Sequence, residues 1–136
     1  KCGVSKFSDY SKGFHEGKFR EPMPRLLIVA DEFRELRSQE PEFMQSLVSA
    51  ATIGRSLGIN LVLATQNPSG IVDDQIRANT NFAICLKVQN ASASRDMLGT
   101  SDAAHLSQAG CAYVKVGDND VYEQIQSYWC APRERS

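Results

Sequence analysis

The sequence has little of what membrane, metal and nucleic-acid proteins need. Its 136 residues include two histidines and four cysteines, with no C-x-x-C pair and no histidine at zinc-ligand spacing from a cysteine. No apolar stretch approaches the roughly 20 residues that span a bilayer, and we expect no signal peptide at the start of the chain. A net charge of −1 argues against a free-standing nucleic-acid binder, which needs a clustered basic surface. We therefore expect a soluble chain with reduced thiols, among which Cys85 is a core residue.

A phosphate-binding loop is also missing. The pattern G-x-x-x-x-G-K-S/T supplies the backbone amides and the lysine that hold nucleotide phosphates. The nearest stretch, "GFHEGKF" at residues 13–19, is one residue short between its glycines and has no Ser or Thr after Lys18. Because it also follows no apolar strand, we reject it as a nucleotide cradle.

What is present is the pattern of one α/β domain, since 42% of the residues are hydrophobic and 23% are charged. An apolar run at residues 26–30 and another at 59–65 flank a helical stretch from about Pro41 to Leu57, with Gly58 as its C-cap. This order predicts a βαβ crossover with parallel strands buried on both faces.

We predict an N-terminal arm, a domain that continues with shorter helices and strands, and a C-terminal tail. Residues 1–25 form the arm, with room for a short helix, residues 26–130 the domain, and residues 131–136 a frayed tail. After the second strand we predict, in order, a short helix in "VDDQIRAN", a buried strand at 82–88, a helix in "SASRDMLG" ending at Gly99, a helical turn capped by Ser101, and a hairpin of "CAYVKVG" and "VYEQIQSYW" around "DND".

Acidic and polar residues follow the first two strands. Asp31 and Glu32 follow the first strand, while Thr65 and Gln66 end the second. Ligands collect at the carboxyl ends of parallel strands, where an aspartate can hold Mg²⁺ through water, a second acid can activate water, and an amide can sense a phosphate. The alternative is that both acids only open a helix whose first turn includes Glu35. The acids alone leave both interpretations open.

Three arginines have the reach to act in trans on a neighbouring subunit's phosphate: Arg55, Arg77 and Arg95. The alternative for each is a solvated or i,i+4-paired surface residue.

Several motifs together resemble the FtsK/SpoIIIE-type P-loop ATPases, and most of all the first ATPase domain of the type VII (ESX) secretion membrane ATPases. The stretches that carry the resemblance are "LLIVADEF", "GRSLG", "ATQ", "SG", "QIRAN", "DAA" and "VKVGDNDVYEQIQSYW", in the family's order and spacing. The similarity covers about residues 10–130 and implies a partial RecA-like core, with a parallel sheet, helices on both of its faces and a C-terminal antiparallel hairpin.

The resemblance implies roles for the strand-end residues. Asp31 would be the acid associated with Mg²⁺ through water, Glu32 the acid that activates water and Gln66 the sensor, with Thr65 and Gln66 facing the nucleotide. It also implies that the chain begins after the Walker A loop, so that the strand between the Gln66 strand and the Phe82 strand is absent. We expect an isolated fragment to be inactive, and either to pair with another copy along that gap or to close it with the Phe82 strand.

For the parent, the resemblance implies an ATP- and Mg²⁺-dependent motor at the cytoplasmic face of a bacterial plasma membrane. Its partners would be further copies in an oligomer or ring, neighbouring ATPase domains and secreted helical proteins. Two alternatives remain open, a DNA translocase of the FtsK branch and a degenerate docking or regulatory domain that does not hydrolyse ATP.

Overall fold

The computed structural model describes residues 3–128, which divide into two compact units, with the boundary along the chain after Gln66. We call residues 3–66 the carboxylate unit and residues 67–128 the hairpin unit. Within residues 3–128, no helix combines the length and the apolar character needed to cross a bilayer.

The carboxylate unit contains the predicted βαβ crossover. Its elements are α1 (Phe7–His15), β1 (Leu26–Ala30), α2 (Phe33–Gln39), α3 (Pro41–Gly54), a 3-10 turn (Arg55–Leu57) and β2 (Ile59–Leu63). Strands β1 and β2 pair in parallel, from Leu26 opposite Ile59 to Ala30 opposite Leu63. The predicted parallel pair is therefore confirmed.

Proline and glycine set the limits of the crossover helix as expected. Pro41 opens α3, where its missing N–H costs nothing. Gly58 closes the following turn in a left-handed conformation, at φ 83°. A Cβ at this position would lie 2.6 Å from a ring carbon of Phe7, so helix α1 also requires the absence of a side chain here. The arm thus folds as a helix against the end of the crossover.

The prediction that both strands are buried on both faces is wrong. Leu27, Val29 and Val62 keep 59%, 60% and 45% of their surface exposed. Helix α3 packs against β2, and the alternate residues Ile28 and Leu61 are half-buried. Because successive side chains of a strand point to opposite faces, a two-stranded sheet covered on one side leaves the other apolar face in contact with solvent.

The hairpin unit is built on an antiparallel sheet in the order β3-β4-β5. Its elements are α4 (Asp74–Asn79), β3 (Phe82–Leu86), α5 (Ala91–Leu98), a 3-10 turn (Asp102–His105), β4 (Cys111–Val116) and β5 (Val121–Gln126). The hairpin of β4 and β5 around Asp118 to Asp120 confirms the predicted C-terminal hairpin. Trp129, at the end of the predicted second strand, lies outside the described residues.

Strand β3 was predicted to be buried, as a strand of the parallel sheet, and the structure differs in both pairing and burial. It pairs antiparallel with β4, and Phe82, Ile84 and Leu86 are 56%, 47% and 57% exposed. An antiparallel sheet packed on one face shows this alternation, and here α5 packs against β3. Strands β2 and β3 belong to different sheets, each within its own unit, and closure of the gap beside β2 by β3 stays a prediction. Pairing between copies stays a prediction.

The core of the hairpin unit lies under α5 and the 3-10 turn. Its buried members are Cys85, Leu98, Ala103, Leu106 and Cys111. Both cysteines are free thiols, as predicted, whereas Cys2 and Cys130 lie outside the described residues. Burial raises the pKa of the Cys85 thiol to about 11, which keeps it protonated and unreactive.

Side-chain caps fix the helices of this unit. Asp73 accepts a hydrogen bond from the Ile76 N–H and begins α4, and Asn90 accepts one from the Ala93 N–H and begins α5. Gly99 ends α5 in a left-handed conformation, as predicted. Ser101 occupies the predicted cap position of the 3-10 turn, but its side chain makes no capping bond.

Candidate functional site

The predicted acids, Asp31 and Glu32, form the two-residue link between β1 and α2. The Ala64 N–H donates to the Ala30 carbonyl at 2.9 Å, and the Phe33 N–H donates to the Ala64 carbonyl at 3.0 Å. Ala64, which follows β2, is therefore hydrogen-bonded both to the residue before Asp31 and to the residue after Glu32. Phe33, the residue after this link, is only 2% exposed and packs in the core. The backbone of the two acids is thus fixed relative to the end of the neighbouring strand.

Glu32 adopts a left-handed backbone conformation, at φ 48° and ψ 53°. Residues with a Cβ seldom adopt this conformation, which persists where surrounding contacts enforce it. The two Ala64 bonds and the bonds of the Glu32 side chain supply those contacts here.

The Glu32 carboxylate spans the two strand ends. Its Oε1 accepts a hydrogen bond from the Thr65 hydroxyl at 2.7 Å, and its Oε2 accepts one from the Gln66 N–H at 3.0 Å. Helix α2 does begin at Phe33, with Glu35 in its first turn, but the Glu32 side chain makes no capping bond to that helix. The helix-start interpretation is therefore right about the chain path, although the carboxylate itself faces the neighbouring strand end.

These bonds also set the charge of Glu32. The hydrogen bond from Thr65, and next the one from the Gln66 backbone, lower the pKa of the carboxyl group, while desolvation opposes them. Both donors stabilise the ionised form, so Glu32 is a carboxylate at neutral pH.

Asp31 and Gln66 complete the group, and both are exposed. Asp31 Oδ1 accepts a hydrogen bond from the Glu32 N–H at 3.0 Å, which holds the aspartate side chain close to the backbone of the next residue. Sequence reasoning found all four residues but missed the bonds among them. In the structure the Thr65 hydroxyl and the Gln66 backbone N–H donate to Glu32, and the nucleotide roles assigned to Thr65 and to the Gln66 side chain stay predictions.

The three candidate arginines are distributed over both units. Arg55 begins the 3-10 turn of the carboxylate unit and is exposed. Arg77 and Arg95 are exposed residues of the hairpin unit, on α4 and α5. Arg77 lies 3.9 Å from the Asp74 carboxylate and donates to the Val72 carbonyl at 3.3 Å. This ion pair joins residues three positions apart, whereas the alternative interpretation predicted a spacing of four.

The donor set fits the acidic half of a magnesium nucleotide site. No cluster of three or more His, Cys, Asp or Glu side chains suited to a metal occurs within residues 3–128, so a cation held here would need ligands besides Asp31. An exposed aspartate suits Mg²⁺, which keeps much of its water shell in proteins. The half that would hold phosphate, a G-x-x-x-x-G-K-S/T loop, does not occur in this sequence.

Comparisons with known proteins show relatives among secretion proteins. The chain is 54% identical over 126 residues to the type VII secretion system protein EssC of Staphylococcus aureus, and 52% identical to the ESX secretion system protein YukB of Bacillus subtilis. Each match covers 93% of this chain but only 8% of the relative. No family model matches the chain.

Two solved structures share the fold. The cytoplasmic domain of the type VII secretion ATPase EccC of Thermomonospora curvata matches with a TM-score of 0.82 and 34% identity, over 92% of this chain and 15% of that one. The conjugation coupling protein TcpA of pCW3, solved with ATPγS, matches with a TM-score of 0.76 and 25% identity, over 91% of this chain and 37% of that one.

Fold and sequence similarity together define a segment of a P-loop ATPase of the FtsK/SpoIIIE type. Within that class, the chain belongs to the type VII (ESX) secretion ATPases, the group of EssC, YukB and EccC. The resemblance inferred from the sequence motifs is confirmed.

Proposed function

We propose that this chain supplies the Walker B and sensor residues of an ATPase domain in a motor that powers type VII protein secretion. The observation that carries the proposal is the carboxylate of Glu32, held by Thr65 and Gln66 where two parallel strands end. Ligands bind at such strand ends in parallel α/β sheets. The similarity to secretion ATPases supports the choice of reaction.

Each strand-end residue has a distinct role in this proposal. Bound Mg²⁺ would neutralise phosphate charge, and Asp31 would hold its water shell. Glu32, ionised and fixed in orientation, would orient the attacking water and accept its proton. The exposed side-chain amide of Gln66 would contact the terminal phosphate. Arg55, Arg77 and Arg95 stay the candidates for a contribution to a neighbouring subunit's site.

The activity belongs to the longer protein in this proposal. This sequence contains no phosphate-loop lysine, so the 136-residue chain by itself should not hydrolyse ATP. The longer protein would act at the cytoplasmic face of the membrane as an oligomer, alongside further ATPase domains, and would move helical protein substrates.

The test is ATP hydrolysis by the full-length protein with Glu32→Gln or Asp31→Ala. We expect Glu32→Gln to bind nucleotide normally and to lose about 10²–10⁴-fold in kcat, as removal of a general base does. Asp31→Ala should weaken the Mg²⁺ dependence of binding. Glu35→Gln, which changes an exposed acid in the first turn of α2, is the matched control and should keep full activity. Unchanged turnover in both site variants would refute the assigned roles.

A DNA translocase is the second candidate, favoured by the likeness to a conjugation coupling protein. Stimulation of the full-length ATPase by double-stranded DNA, and not by secretion substrate, would replace our proposal with this one. A protein that binds nucleotide without turnover, equally in the wild type and in Glu32→Gln, would instead identify a docking or regulatory domain.

A further inference from the structure

We propose that Thr65 is a positioning residue for Glu32, and that Thr65 and the Gln66 backbone couple the proposed phosphate sensor to the proposed water-activating acid. We call their two hydrogen bonds to Glu32 the Glu32 clamp. The inference rests on the proposed function, and it assigns Thr65 to the acid instead of to the nucleotide.

The geometry of the clamp fixes the plane of the carboxylate. Two successive residues donate to two different oxygens, at 2.7 Å to Oε1 and 3.0 Å to Oε2. One hydrogen bond would leave the carboxylate free to rotate about its last bond, whereas two bonds on separate oxygens stop that rotation. Each ionised oxygen has a further lone pair, so a clamped Glu32 can still accept a proton from water.

The backbone end of the same side chain is fixed independently. The Glu32 backbone is held at φ 48° because Ala64 is hydrogen-bonded to Ala30 before it and to Phe33 after it. Both ends of its side chain are therefore fixed to residues 64–66, the segment that follows β2. An acid positioned in this way keeps one orientation without help from substrate, which is the arrangement that catalysis by a positioned base needs.

The clamp also connects two proposed functions through one residue. Gln66 donates its backbone N–H to Glu32, and its exposed side chain is the proposed phosphate contact. A displacement of Gln66 on phosphate contact would therefore move the donor that holds Glu32. Thr65, half-buried beside it, supplies the shorter of the two bonds.

The deciding variants are Thr65→Val, which keeps the shape but removes the hydroxyl donor, and Thr65→Ser, which restores the donor. In the full-length protein we expect Thr65→Val to lose about 10–100-fold in kcat, the scale of a misplaced catalytic group, with KM nearly unchanged. Thr65→Ser should recover most of this loss. Thr52→Val is the matched control, because the Thr52 hydroxyl donates to the Val48 carbonyl of its own helix at 2.8 Å.

Amide hydrogen exchange gives a readout without turnover. Peptides that contain Gln66 should exchange faster in Thr65→Val and in Glu32→Ala than in the wild type, and at the wild-type rate in Thr52→Val. Wild-type kcat in Thr65→Val, with Glu32→Gln inactive, would overturn the positioning role and leave the proposed function standing. Wild-type kcat in Glu32→Gln would overturn both.

Discussion

The two units of this chain each hold a carboxylate with a lowered pKa, in opposite settings. Glu32 of the carboxylate unit takes its bonds on two oxygens from a neighbouring strand end. Asp102 of the hairpin unit takes both bonds on one oxygen, from Tyr122 at 2.6 Å and Thr100 at 2.9 Å. The Tyr122 bond is the larger cause of the low pKa of Asp102, followed by the Thr100 bond. The direction of a pKa shift therefore does not separate the proposed reactive carboxylate from one that joins two elements of the fold.

What separates them is the surrounding structure. The hydroxyl oxygens of Thr100 and Tyr122 also lie 2.6 Å apart, and the three side chains join the 3-10 turn to β5. Because each hydroxyl carries one proton, a bond between them would replace one of the two bonds to Asp102. The Glu32 clamp instead lies beside two exposed residues at the ends of parallel strands, where a ligand has access. Glu32 and Asp102 are both half-buried, so this contrast lies in their neighbours and not in their burial: Asp102 is bonded to a turn and a strand, whereas Glu32 lies beside the exposed Asp31 and Gln66.

The largest effect should come from the core of the hairpin unit. Leu98 is 1% exposed, and Leu98→Ala should lower the free energy of unfolding by about 2–5 kcal/mol, because it leaves a cavity. The same change in the carboxylate unit, Leu27→Ala, removes a side chain that is 59% exposed and should cost about 0.5 kcal/mol or less. Urea unfolding measures both. Equal losses would show that the exposed face of the carboxylate unit is covered in solution.

An intermediate effect is expected from a buried hydroxyl. Ser94 is fully buried, donates to the Thr100 carbonyl at 2.7 Å and accepts from the Ala103 N–H at 3.1 Å. Ser94→Ala leaves both groups without this partner and should cost about 1–3 kcal/mol. Ser92→Ala, at an exposed position of the same helix, is the control and should change stability by about 0.5 kcal/mol or less. A neutral Ser94→Ala would mean that the hydroxyl does not stabilise the turn.

The smallest effect should be a change in acid stability. Because the pKa of folded Asp102 is lowered, its bonds stabilise the fold above the ordinary aspartate pKa, and this contribution is lost as the pH falls through the folded pKa. Tyr122→Phe removes the main cause, so the Asp102 pKa should rise and the pH dependence of unfolding should weaken. Tyr113→Phe keeps the ring that stacks on Tyr122 and should leave the Asp102 pKa unchanged. A carboxyl carbon NMR titration decides, and an unmoved Asp102 in Tyr122→Phe would contradict the assignment.

Local pattern was enough to predict most elements. Pro41 and Gly58 delimit the crossover, Gly99 ends α5, and alternation around Asp118 to Asp120 marks the hairpin. These features depend on neighbours within a few residues, where backbone sterics and hydrogen bonding decide. Burial was predicted less well, because an apolar strand such as β3 looks the same whether one face or both are covered.

By itself, the sequence determined which residues could carry chemistry: Asp31 and Glu32 after one strand, Thr65 and Gln66 at the end of the next. Only the tertiary structure decided how they combine. Glu32 and Thr65 are 33 positions apart, and no local pattern specifies that one donates to the other. Parallel pairing of β1 with β2 places their ends side by side, and the left-handed backbone of Glu32 lets its carboxylate reach both donors. The physical reason is that a side-chain bond across strands depends on register and backbone angle, which only the folded sheet fixes.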